Sequence, residues 1–333
     1  MFQVRAIDAV ACGAPLSFDL RVDATPDSIQ LLIGLKTPSG ASITSGVFQN
    51  DPDPQFVWAV APSAAPLAGS SFAVDGSADC TADTGTTSQQ IAPVPDGSHS
   101  FQVRAIDTAG NCGPASTFDL RVDATLDPVA TLRGFVNAGG AEFLPGAWEP
   151  DSTPFMQWSS TPGAAPTAGY SSAADGAADC TSEGAGTTYQ FGVIGNGSHS
   201  FQVRAIDDAG NCGPVATFNF GVDLNADGIG PITLRTSPGG AVIGAYTNDP
   251  DPYAEWIVGT SGPSPTAGVS HALDVVADCA QDTLATSLQL PSLAEGSRVL
   301  HLRAIDAAGN CGNDTTKCSR STSRRTRSLR SPR

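Results

Sequence analysis

The stretch FQVRAIDTAGNCGPASTFDLRVDAT, residues 101–125, decides the fold because most of it occurs again at regular intervals. Its opening phrase also begins at Phe2 and Phe201, and a variant, LHLRAID, begins at Leu300. These starts are separated by 99, 100 and 99 residues. A period of this length predicts independent domains in series, since the units of solenoid proteins span about 20–50 residues.

Each copy of the repeat has the alternation of a half-buried strand. In Phe201, Val203 and Ala205 the apolar residues alternate with mostly polar ones, so one face is expected to be buried and the other wet. Turn signals, such as GNGS at 195–198 and DDAGN at 207–211, bound these runs. No amphipathic helix of useful length is apparent. The pattern predicts an all-β chain of tandem β-sandwiches with about seven strands in each.

The repeats also predict domain boundaries. Residues 1–25 correspond to the last two strands of a truncated repeat, and residues 26–125 and 126–224 to complete β-sandwiches. Residues 225–312 correspond to a repeat that lacks its last strand, because the TFDLRVDAT phrase expected after Gly312 is replaced. Residues 313–333 are then a basic disordered tail, either a natural arm or the product of a frameshift.

Two broken ends of this kind predict self-association. The strand at residues 300–305 is left as an open edge, while residues 1–25 form a spare hairpin with no sandwich to join. Unpaired apolar edges are templates for strand addition. We therefore expect a marginally stable third repeat and head-to-tail association.

The charge distribution excludes some partners. The net charge is −16, but residues 313–333 hold seven of the 17 basic residues against one acid, which leaves −22 for the rest. Such an acidic body repels phosphate backbones, so nucleic acid is not expected as a partner. The sequence also contains no run of 18 or more apolar residues, and no membrane span is predicted.

Several phrases together suggest a family. Each repeat has a tryptophan in an apolar stretch, and two repeats have a turn of the type DGSHSF (96–101) before the RAID phrase. Together with the AGNCG phrase, this pattern resembles fibronectin type III modules. It is more similar still to the bacterial immunoglobulin-like repeats of large extracellular surface proteins. The resemblance covers nearly all of residues 26–312, and it implies that RAID lies on strand F, AGNCGP in the F–G turn and the tryptophan on strand B.

The cysteines pair by their repeat positions. One of each pair lies in an Ala-Asp-Cys phrase and the other in AGNC, always 32 residues apart. The predicted disulfides are Cys80–Cys112, Cys180–Cys212 and Cys279–Cys311. The alternatives are buried free thiols or zinc ligands, although zinc needs four ligands and each repeat offers two cysteines and at most one suitable histidine. Disulfides imply an oxidising, extracytoplasmic location.

Recurrent aspartates suggest calcium, which is the one cofactor that the sequence suggests. In an immunoglobulin-like topology, the acids of the A–B turn, the linker and the next F–G turn would meet at a junction between repeats. The first such set is Asp51, Asp53, Asp123, Asp127 and Asp207, and the second is Asp151, Asp223, Asp227 and Asp306. Several carboxylates with no nearby Lys or Arg in the sequence favour a hard cation. The alternative is that these aspartates start turns and stay solvated.

The sequence contains no recognisable catalytic motif, and we expect no enzymatic activity. His99 and His199 recur at the same repeat position, which favours a structural role in a turn. We expect an extracellular or cell-surface segment that acts as a stalk or binds an extracellular protein or glycan. The alternative is a set of spacer repeats from a secreted polysaccharide-degrading enzyme whose catalytic domain lies outside this chain.

Overall fold

The computed structural model describes residues 2–7 and 10–321, which form β-strands and turns without any helix. Among these residues there is accordingly no helix long and apolar enough to cross a membrane. Most of the predicted basic tail, residues 322–333, lies outside the described residues.

The strands follow the sequence repeat. The first part of the chain contains β1 (Phe2–Val4), β2 (Leu16–Phe18), β3 (Ser28–Leu35), β4 (Ser42–Ile43), β5 (Phe48–Gln49), β6 (Gln55–Ala61), β7 (Leu67–Val74), β8 (Ser88–Gln90), β9 (Gly97–Asp107) and β10 (Ser116–Val122). The second repeat contains β11 (Val129–Phe135), β12 (Glu142–Phe143), β13 (Trp148–Glu149), β14 (Phe155–Ser160), β15 (Thr167–Ala174), β16 (Thr188–Gln190), β17 (Gly197–Asp207) and β18 (Ala216–Val222). The third contains β19 (Gly228–Ile229), β20 (Thr233–Arg235), β21 (Tyr246–Thr247), β22 (Tyr253–Glu255), β23 (Val258–Gly259), β24 (Thr266–Leu273), β25 (Ser287–Gln289), β26 (Gly296–Asp306) and β27 (Thr315–Ser321).

Each repeat is a sandwich of two sheets. In the first repeat one sheet has the order β4-β3-β6-β8 and the other β5-β10-β9-β7, and the second repeat has the same two orders with its own strands. The main sheets of the third repeat are β20-β22-β25 and β21-β27-β26-β24. With β3, β6 and β8 as strands A, B and E, and β7, β9 and β10 as C, F and G, this is the immunoglobulin-like arrangement. The predicted all-β tandem fold is therefore confirmed, with RAID on strand F and the tryptophan on strand B.

The core of each sandwich is built from the alternating positions. In the first repeat, the rings of Phe56 on β6 and Phe101 on β9 stack with their centroids 4.0 Å apart, and both side chains are fully buried. Phe118 and Leu120 on β10 close the same core, next to Trp58. The apolar residues of the RAID and FDLRV phrases thus form the interior of the first sandwich, and the RAID phrase recurs in the other two.

By compactness the chain divides into two units, which do not follow the sequence repeat. The first consists of Met1–Asp127, Thr161–Ala168 and Ala205–Pro214, and the second of the remaining residues. Two segments of the second repeat, Thr161–Ala168 and Ala205–Pro214, therefore belong with the linker that precedes that repeat.

The end of the third repeat corrects two of the predictions. Thr315–Ser321 forms β27, which pairs with β26 from Gly296↔Ser321 to Leu302↔Thr315. The prediction that residues 225–312 lack a last strand, with an open edge, is therefore wrong, and so is the prediction of disorder over 315–321. Backbone hydrogen bonding along β26 can be satisfied by a strand of almost any composition, and an apolar pattern is not required for it.

The hairpin near the start of the chain stands without a second sheet. Phe2, Gln3 and Val4 pair with Phe18, Ser17 and Leu16, as expected for the F and G strands of a repeat. The apolar residues of this hairpin are between 59% and 79% exposed at Phe2, Val4, Leu16 and Phe18. The counterparts of Phe2, Val4 and Phe18 in the first complete repeat, namely Phe101, Val103 and Phe118, are buried.

The predicted disulfides join strand F's turn to the preceding loop. Cys80 bonds Cys112, with their Cα atoms 5.7 Å apart, and Cys279 bonds Cys311, with theirs 5.8 Å apart. In the second repeat, Cys180 and Cys212 are likewise disulfide-bonded. Two further cysteines, Cys12 and Cys318, are free and exposed.

The histidines of the DGSHSF turn hold that turn together. His199 Nδ1 lies 2.7 Å from a carboxylate oxygen of Asp175, and Nε2 lies 2.9 Å from the carbonyl oxygen of Gly195. His99 makes the same two contacts with Asp75 and the Pro95 carbonyl, at 2.7 and 2.8 Å. These contacts support a structural role for both residues.

Candidate functional site

The linker before the second repeat docks onto that repeat through two buried aspartates. A carboxylate oxygen of Asp123 accepts a hydrogen bond from the amide of Ala165 at 2.6 Å, and one of Asp127 accepts from the amide of Gly163 at 2.7 Å. Both aspartates are essentially inaccessible to solvent. Burying a carboxylate without such donors would be costly, so these bonds fix the linker on the loop between β14 and β15.

A third contact comes from the AGN phrase of the F–G turn. The side-chain amide of Asn211 donates to the backbone carbonyl of Asp123 and to a carboxylate oxygen of Asp207, both at 2.7 Å. The backbone amide of Asn211 donates to the other Asp207 carboxylate oxygen at 2.8 Å. Asn211 thus links strand F's last residue to the linker.

Gly213, which follows Cys212, must be a glycine because the linker backbone passes very close to it. A Cβ atom at Gly213 would lie 1.8 Å from the carbonyl oxygen of Asp127, which is far inside van der Waals contact. At the corresponding glycines of the other two repeats, Gly113 and Gly312, the distances to the linker carbonyl would be 1.9 and 2.0 Å. The final glycine of AGNCG therefore marks the place where the linker crosses the F–G turn.

These contacts bring three carboxylates together. Oxygens of Asp123, Asp127 and Asp207 all lie within 4.8 Å of one another, and all three side chains are buried. Burial raises the pKa of Asp127, and the neighbouring charges of Asp207 and Asp123 raise it further, against the hydrogen bond from Gly163. Within the described part of the chain, none of the three carboxylates forms a salt bridge, so their repulsion is not relieved by a basic side chain.

The same network is present where the linkers meet the other two repeats. Asn111 donates to the Asp23 carbonyl at 3.1 Å, and Asn310 donates to the Asp223 carbonyl at 2.8 Å. We call each such set a junction cluster, consisting of two linker aspartates and the last aspartate of strand F. The three clusters are Asp23, Asp27 and Asp107; Asp123, Asp127 and Asp207; and Asp223, Asp227 and Asp306.

The clusters differ in the hydroxyl groups that donate hydrogen bonds to their carboxylates. Ser63 donates its hydroxyl to Asp23, and Ser264 donates its hydroxyl to Asp223, both at 2.6 Å. The pKa of Asp23 is held below its usual value, first by the Ser63 hydroxyl and then by backbone amides. In the second cluster the hydroxyl donor to the first linker aspartate is missing, because alanine stands at the position of Ser264.

The first cluster contains a carboxylate oxygen without any donor. Asp27 is fully buried, and its Oδ1 atom accepts from the amide of Ser63 at 2.5 Å. Its Oδ2 atom is buried with no hydrogen-bond partner. In the third cluster a threonine hydroxyl, that of Thr266, donates to the equivalent oxygen of Asp227, but leucine occupies this position, 67, in the first repeat. A bound proton or cation would satisfy the orphaned oxygen.

The acids of the A–B turn are held elsewhere. A carboxylate oxygen of Asp51 accepts from the amide and the hydroxyl of Thr37, at 2.5 and 3.1 Å, and Asp53 accepts from Gln90 at 3.2 Å. Asp151 accepts from the amide and hydroxyl of Thr153, at 2.8 and 2.9 Å. Among the described residues these acids are not part of the group of carboxylates within 4.8 Å. The structure thus brings together the carboxylates of the linker and strand F members of the first predicted set. In the second set it connects Asp223 and Asp306 through Asn310, and it places the A–B turn members in local turns.

Some members of the clusters were missed by sequence reasoning. The first cluster was not predicted, although Asp23, Asp27 and Asp107 hold the same repeat positions as the residues that were. The role of Asn211 was also missed, since AGN was interpreted only as a turn. Its recurrence at three equivalent positions was the signal that could have identified it.

Comparison with known proteins gives a likeness of fold. No family model and no curated protein matches the chain. Among solved structures, the fibronectin(III)-like modules of Clostridium thermocellum CbhA are 14% identical, with a TM-score of 0.33, over 59% of this chain and 94% of that one. The central fibronectin-III array of RIM-binding protein is 14% identical, with a TM-score of 0.23, over 91% of this chain and 100% of that one. Immunoglobulin domains 1–5 of Sidekick-1 are 10% identical, with a TM-score of 0.38, over 96% of this chain and 66% of that one.

These identities and TM-scores are too low to transfer any function. The class of the protein follows from its own strand order and register: it is a tandem array of immunoglobulin-like β-sandwiches.

Proposed function

We propose that this chain is a non-catalytic spacer of an extracellular or cell-surface protein, in which ordered linkers join successive β-sandwiches and calcium binds at the junction clusters. The disulfides support an oxidising location, because such bonds rarely persist in a reducing cytosol. Loops of the array would bind any partner, an extracellular protein or a glycan.

The observation that carries the spacer proposal is the recurrence of one hydrogen-bond network at every linker. Asn111, Asn211 and Asn310 make the same pair of bonds to a linker carbonyl and to strand F's last aspartate. A flexible tether would be polar, solvated and free of such bonds. These linkers are instead buried at their aspartates and held by the repeat that follows.

Hydrogen exchange tests the ordering of the linker directly. In the full chain, the amides of Gly163 and Ala165 should exchange as slowly as those of the second sandwich, because they donate to the linker carboxylates. Substitution of Asn211 by Ala should speed the exchange of both amides while the core of the sandwich stays protected. Rapid exchange of these amides in the unaltered chain would contradict the proposal of an ordered spacer.

Two observations support calcium at the clusters. Asp123, Asp127 and Asp207 present oxygens within 4.8 Å of one another, and in the first cluster Asp27 has a buried, unpartnered oxygen. Calcium is a hard cation that takes six to eight oxygen ligands, and carboxylates and backbone carbonyls are its usual protein ligands. The cluster also contains the Asp123 carbonyl, so both types of ligand are present.

Thermal unfolding of the full chain with and without calcium tests this second part. Extracellular modules bind calcium with a Kd of about 10⁻⁴–10⁻³ M, so about 10 mM calcium should add about 1–3 kcal/mol to the stability of each repeat that binds it. That corresponds to a rise in Tm of about 5–15 °C for a domain of this size. Magnesium at the same concentration controls for ionic screening.

Asp207→Asn should abolish the calcium response of the second repeat, whereas Asp208→Asn, an equal charge change at an exposed neighbour, should leave it intact. Measuring the response, and not only the stability, keeps the test valid if Asp207→Asn lowers the Tm by itself. A Tm that calcium and magnesium raise equally would refute the calcium site and leave the spacer proposal standing.

A further inference from the structure

An arginine lies against an aromatic ring on the outer face of one sheet in the first and third repeats. In the first repeat, Phe48 on β5 pairs with Arg121 on β10, and the guanidinium carbon is 5.6 Å from the centre of the phenyl ring. In the third repeat, Tyr246 and Arg320 form the same pair, with a distance of 5.7 Å. In both repeats the arginine thus covers part of the ring.

The second repeat has no arginine at this place. Trp148 on β13 pairs with Gly221 on β18. A Cβ atom at Gly221 would lie 2.3 Å from the indole ring of Trp148, so the ring lies where a side chain at position 221 would otherwise begin. Trp148 is nevertheless only half-buried. Its indole therefore covers the glycine and still presents part of its own surface to solvent.

A groove with a volume of about 530 Å³ extends from Trp148 across this sheet. Its polar side chains come from neighbouring strands: Ser198 and Ser200 from β17, Asn219 from β18, and Asp175 from the position just after β15. β13 and β15 are the two edge strands of the four-stranded sheet, so the groove crosses three strand spacings, or about 14 Å. This length suits an elongated ligand.

The polar side chains of the groove retain capacity for hydrogen bonds. The carboxylate of Asp175 accepts from the backbone amide of Ser200 at 2.8 Å and contacts His199 Nδ1 at 2.7 Å. A carboxylate has about four acceptor sites, so about two remain for a ligand. Ser198 and Asn219 are exposed, and the amide of Asn219 can both donate and accept. The groove therefore suits a ligand that carries several hydroxyl groups.

The charge of the groove favours a neutral ligand. In the described part of the chain, Asp175 is the one acidic residue that lines it, and neither Lys nor Arg does. The imidazole of His199 is largely buried and already contacts Asp175. An acidic ligand would meet this carboxylate without the arginine that the other two repeats have at this place, and juxtaposed like charges disfavour binding.

We propose that this groove binds a neutral oligosaccharide or polysaccharide, with one pyranose ring against the indole of Trp148. The C–H groups on the face of a pyranose carry partial positive charge, which complements the negative face of an aromatic ring. The hydroxyl groups at the edge of the sugar donate and accept, as do the Asn219 amide and the serines. The inference rests on the proposed extracellular location, where such glycans occur, but not on the ordered linkers or on calcium.

Titration of the full chain with uncharged oligosaccharides tests the proposal. The probes are hexasaccharides of cellulose, mannan, amylose and chitin, each raised to about 10 mM, and the indole N–H resonances of the four tryptophans are followed by NMR. Trp58, Trp158 and Trp256 are between 3% and 5% exposed and serve as internal references. At least one probe should shift the Trp148 resonance selectively, and a chain in which none does would overturn the proposal.

An acidic hexasaccharide of galacturonic acid tests the selectivity for neutral glycans. It should bind at least about 10-fold more weakly than the best neutral probe, because Asp175 repels it. Equal or tighter binding of the acidic probe would overturn the assignment of a neutral ligand.

Substitutions at Trp148 and Gly221 separate sugar binding from a role in covering the sheet. Trp148→Phe keeps an aromatic ring and should weaken binding by less than about 10-fold. Trp148→Phe with Gly221→Arg reproduces the Phe48 and Arg121 pair of the first repeat, so it is expected to fold. Its arginine should cover the ring and weaken binding by at least about a further 10-fold. If the double variant binds as tightly as Trp148→Phe alone, the ring is not the binding surface and the proposal is wrong.

A second comparison tests the polar part of the groove. Asn219→Ala removes an amide that the groove presents, and it should weaken binding by about 5-fold, the loss expected for one hydrogen bond. Asn137→Ala, an equal change at an exposed position between β11 and β12, should leave binding unchanged. Equal effects of the two substitutions would contradict a contact between Asn219 and the sugar.

Hydrogen exchange of the same samples distinguishes this proposal from that of an ordered spacer. Protected amides at Gly163 and Ala165, together with no sugar binding, would refute the glycan site alone. Selective shifts of the Trp148 resonance in a chain whose linker amides exchange rapidly would support the glycan site and refute the ordered linkers.

Discussion

Raising the pH from about 5.5 to about 8 should destabilise the turn before strand F in the first two repeats. The corresponding turn of the third repeat should be unaffected. In the first two repeats, His99 and His199 each lie between a carboxylate and a backbone carbonyl. Both neighbours are acceptors, so the ring satisfies them only when both its nitrogens carry protons, that is, as the cation. In the third repeat the position is occupied by Arg298, which donates to Asp274 at 2.8 Å. A guanidinium group, unlike an imidazole, does not change its charge in this pH range.

The direction follows from the pKa shifts. Burial alone would lower the pKa of His199, but the hydrogen bonds to Asp175 and to the Gly195 carbonyl outweigh it and leave the pKa raised. A raised histidine pKa stabilises the fold fully below the ordinary value of about 6.5, and this contribution is lost as the pH rises through the raised value. The pKa of Asp175 is lowered, so its contribution is lost only in acid, as the pH falls through that lowered value. The pair is most stabilising between the two.

The magnitude follows from the exposure of the partners. A hydrogen bond to a charged group contributes about 1.5–3 kcal/mol when it is protected from water. The side chain of Asp175 is 46% exposed, however, and solvent screening reduces such a pair to about 1 kcal/mol. Losing about 1 kcal/mol should lower the Tm of a repeat of this size by about 4–8 °C.

Calorimetry of the full chain at the two pH values measures this loss. His199→Arg should remove the pH dependence of the second repeat, since it introduces the residue that the third repeat has. Arg298→His should create the same dependence in the third repeat. His271→Arg is the control, because His271 Nδ1 lies 4.0 Å from its nearest carboxylate. His271→Arg should leave the pH dependence of the parent chain unchanged. If His199→Arg also leaves it unchanged, the reasoning is wrong.

Two further outcomes follow from the junctions and the disulfides. Gly213→Ala should cost about 3 kcal/mol or more in urea unfolding, because its Cβ would meet the rigid Asp127 carbonyl, whereas Gly192→Ala, with nothing within 4 Å, should cost less than about 1 kcal/mol. Equal costs would show that the linker moves aside freely. Replacing Cys80 and Cys112 together by serine should lower the stability of the first repeat by about 3.5–4 kcal/mol, from the 32-residue separation that the bond closes. A loss below about 1 kcal/mol in the same assay would contradict that entropic reasoning.

The sandwich could be predicted because its determinants repeat in the sequence. The alternation in FQVRAID places Phe101 and Val103 on one face, and the same face is buried in the structure. The spacing of the cysteines likewise predicted the disulfide pairs, since the other two complete repeats have cysteines at the positions that correspond to Cys80 and Cys112. Local pattern and global fold agree throughout these stretches.

The last strand of the third repeat could not be predicted, because nothing in Lys317-Cys318-Ser319-Arg320 alternates in hydrophobicity. The strand forms because the backbone of β26 needs a partner, which is a demand of the fold and not of these side chains. The junction clusters were predicted in part for a related reason. A sequence shows that Asp51 and Asp123 recur, but not which donors surround each of them. Thr37 holds Asp51 in a local turn, and that contact depends on a residue with no acidic signature.

The docking of each linker on the repeat that follows bears on how such an array changes length. The partners of the linker aspartates, namely the B–C loop, the Asn of AGN and the glycine after the cysteine, recur in every repeat. A recombination between the gene segments that encode two FQVRAID copies would therefore delete or add one repeat and join equivalent partners on both sides of the crossover. The disulfide and the junction cluster would each re-form from residues of different parental repeats. Genes for such an array can gain or lose whole domains without a compensating mutation, and the length of the array is then free to vary between otherwise identical proteins.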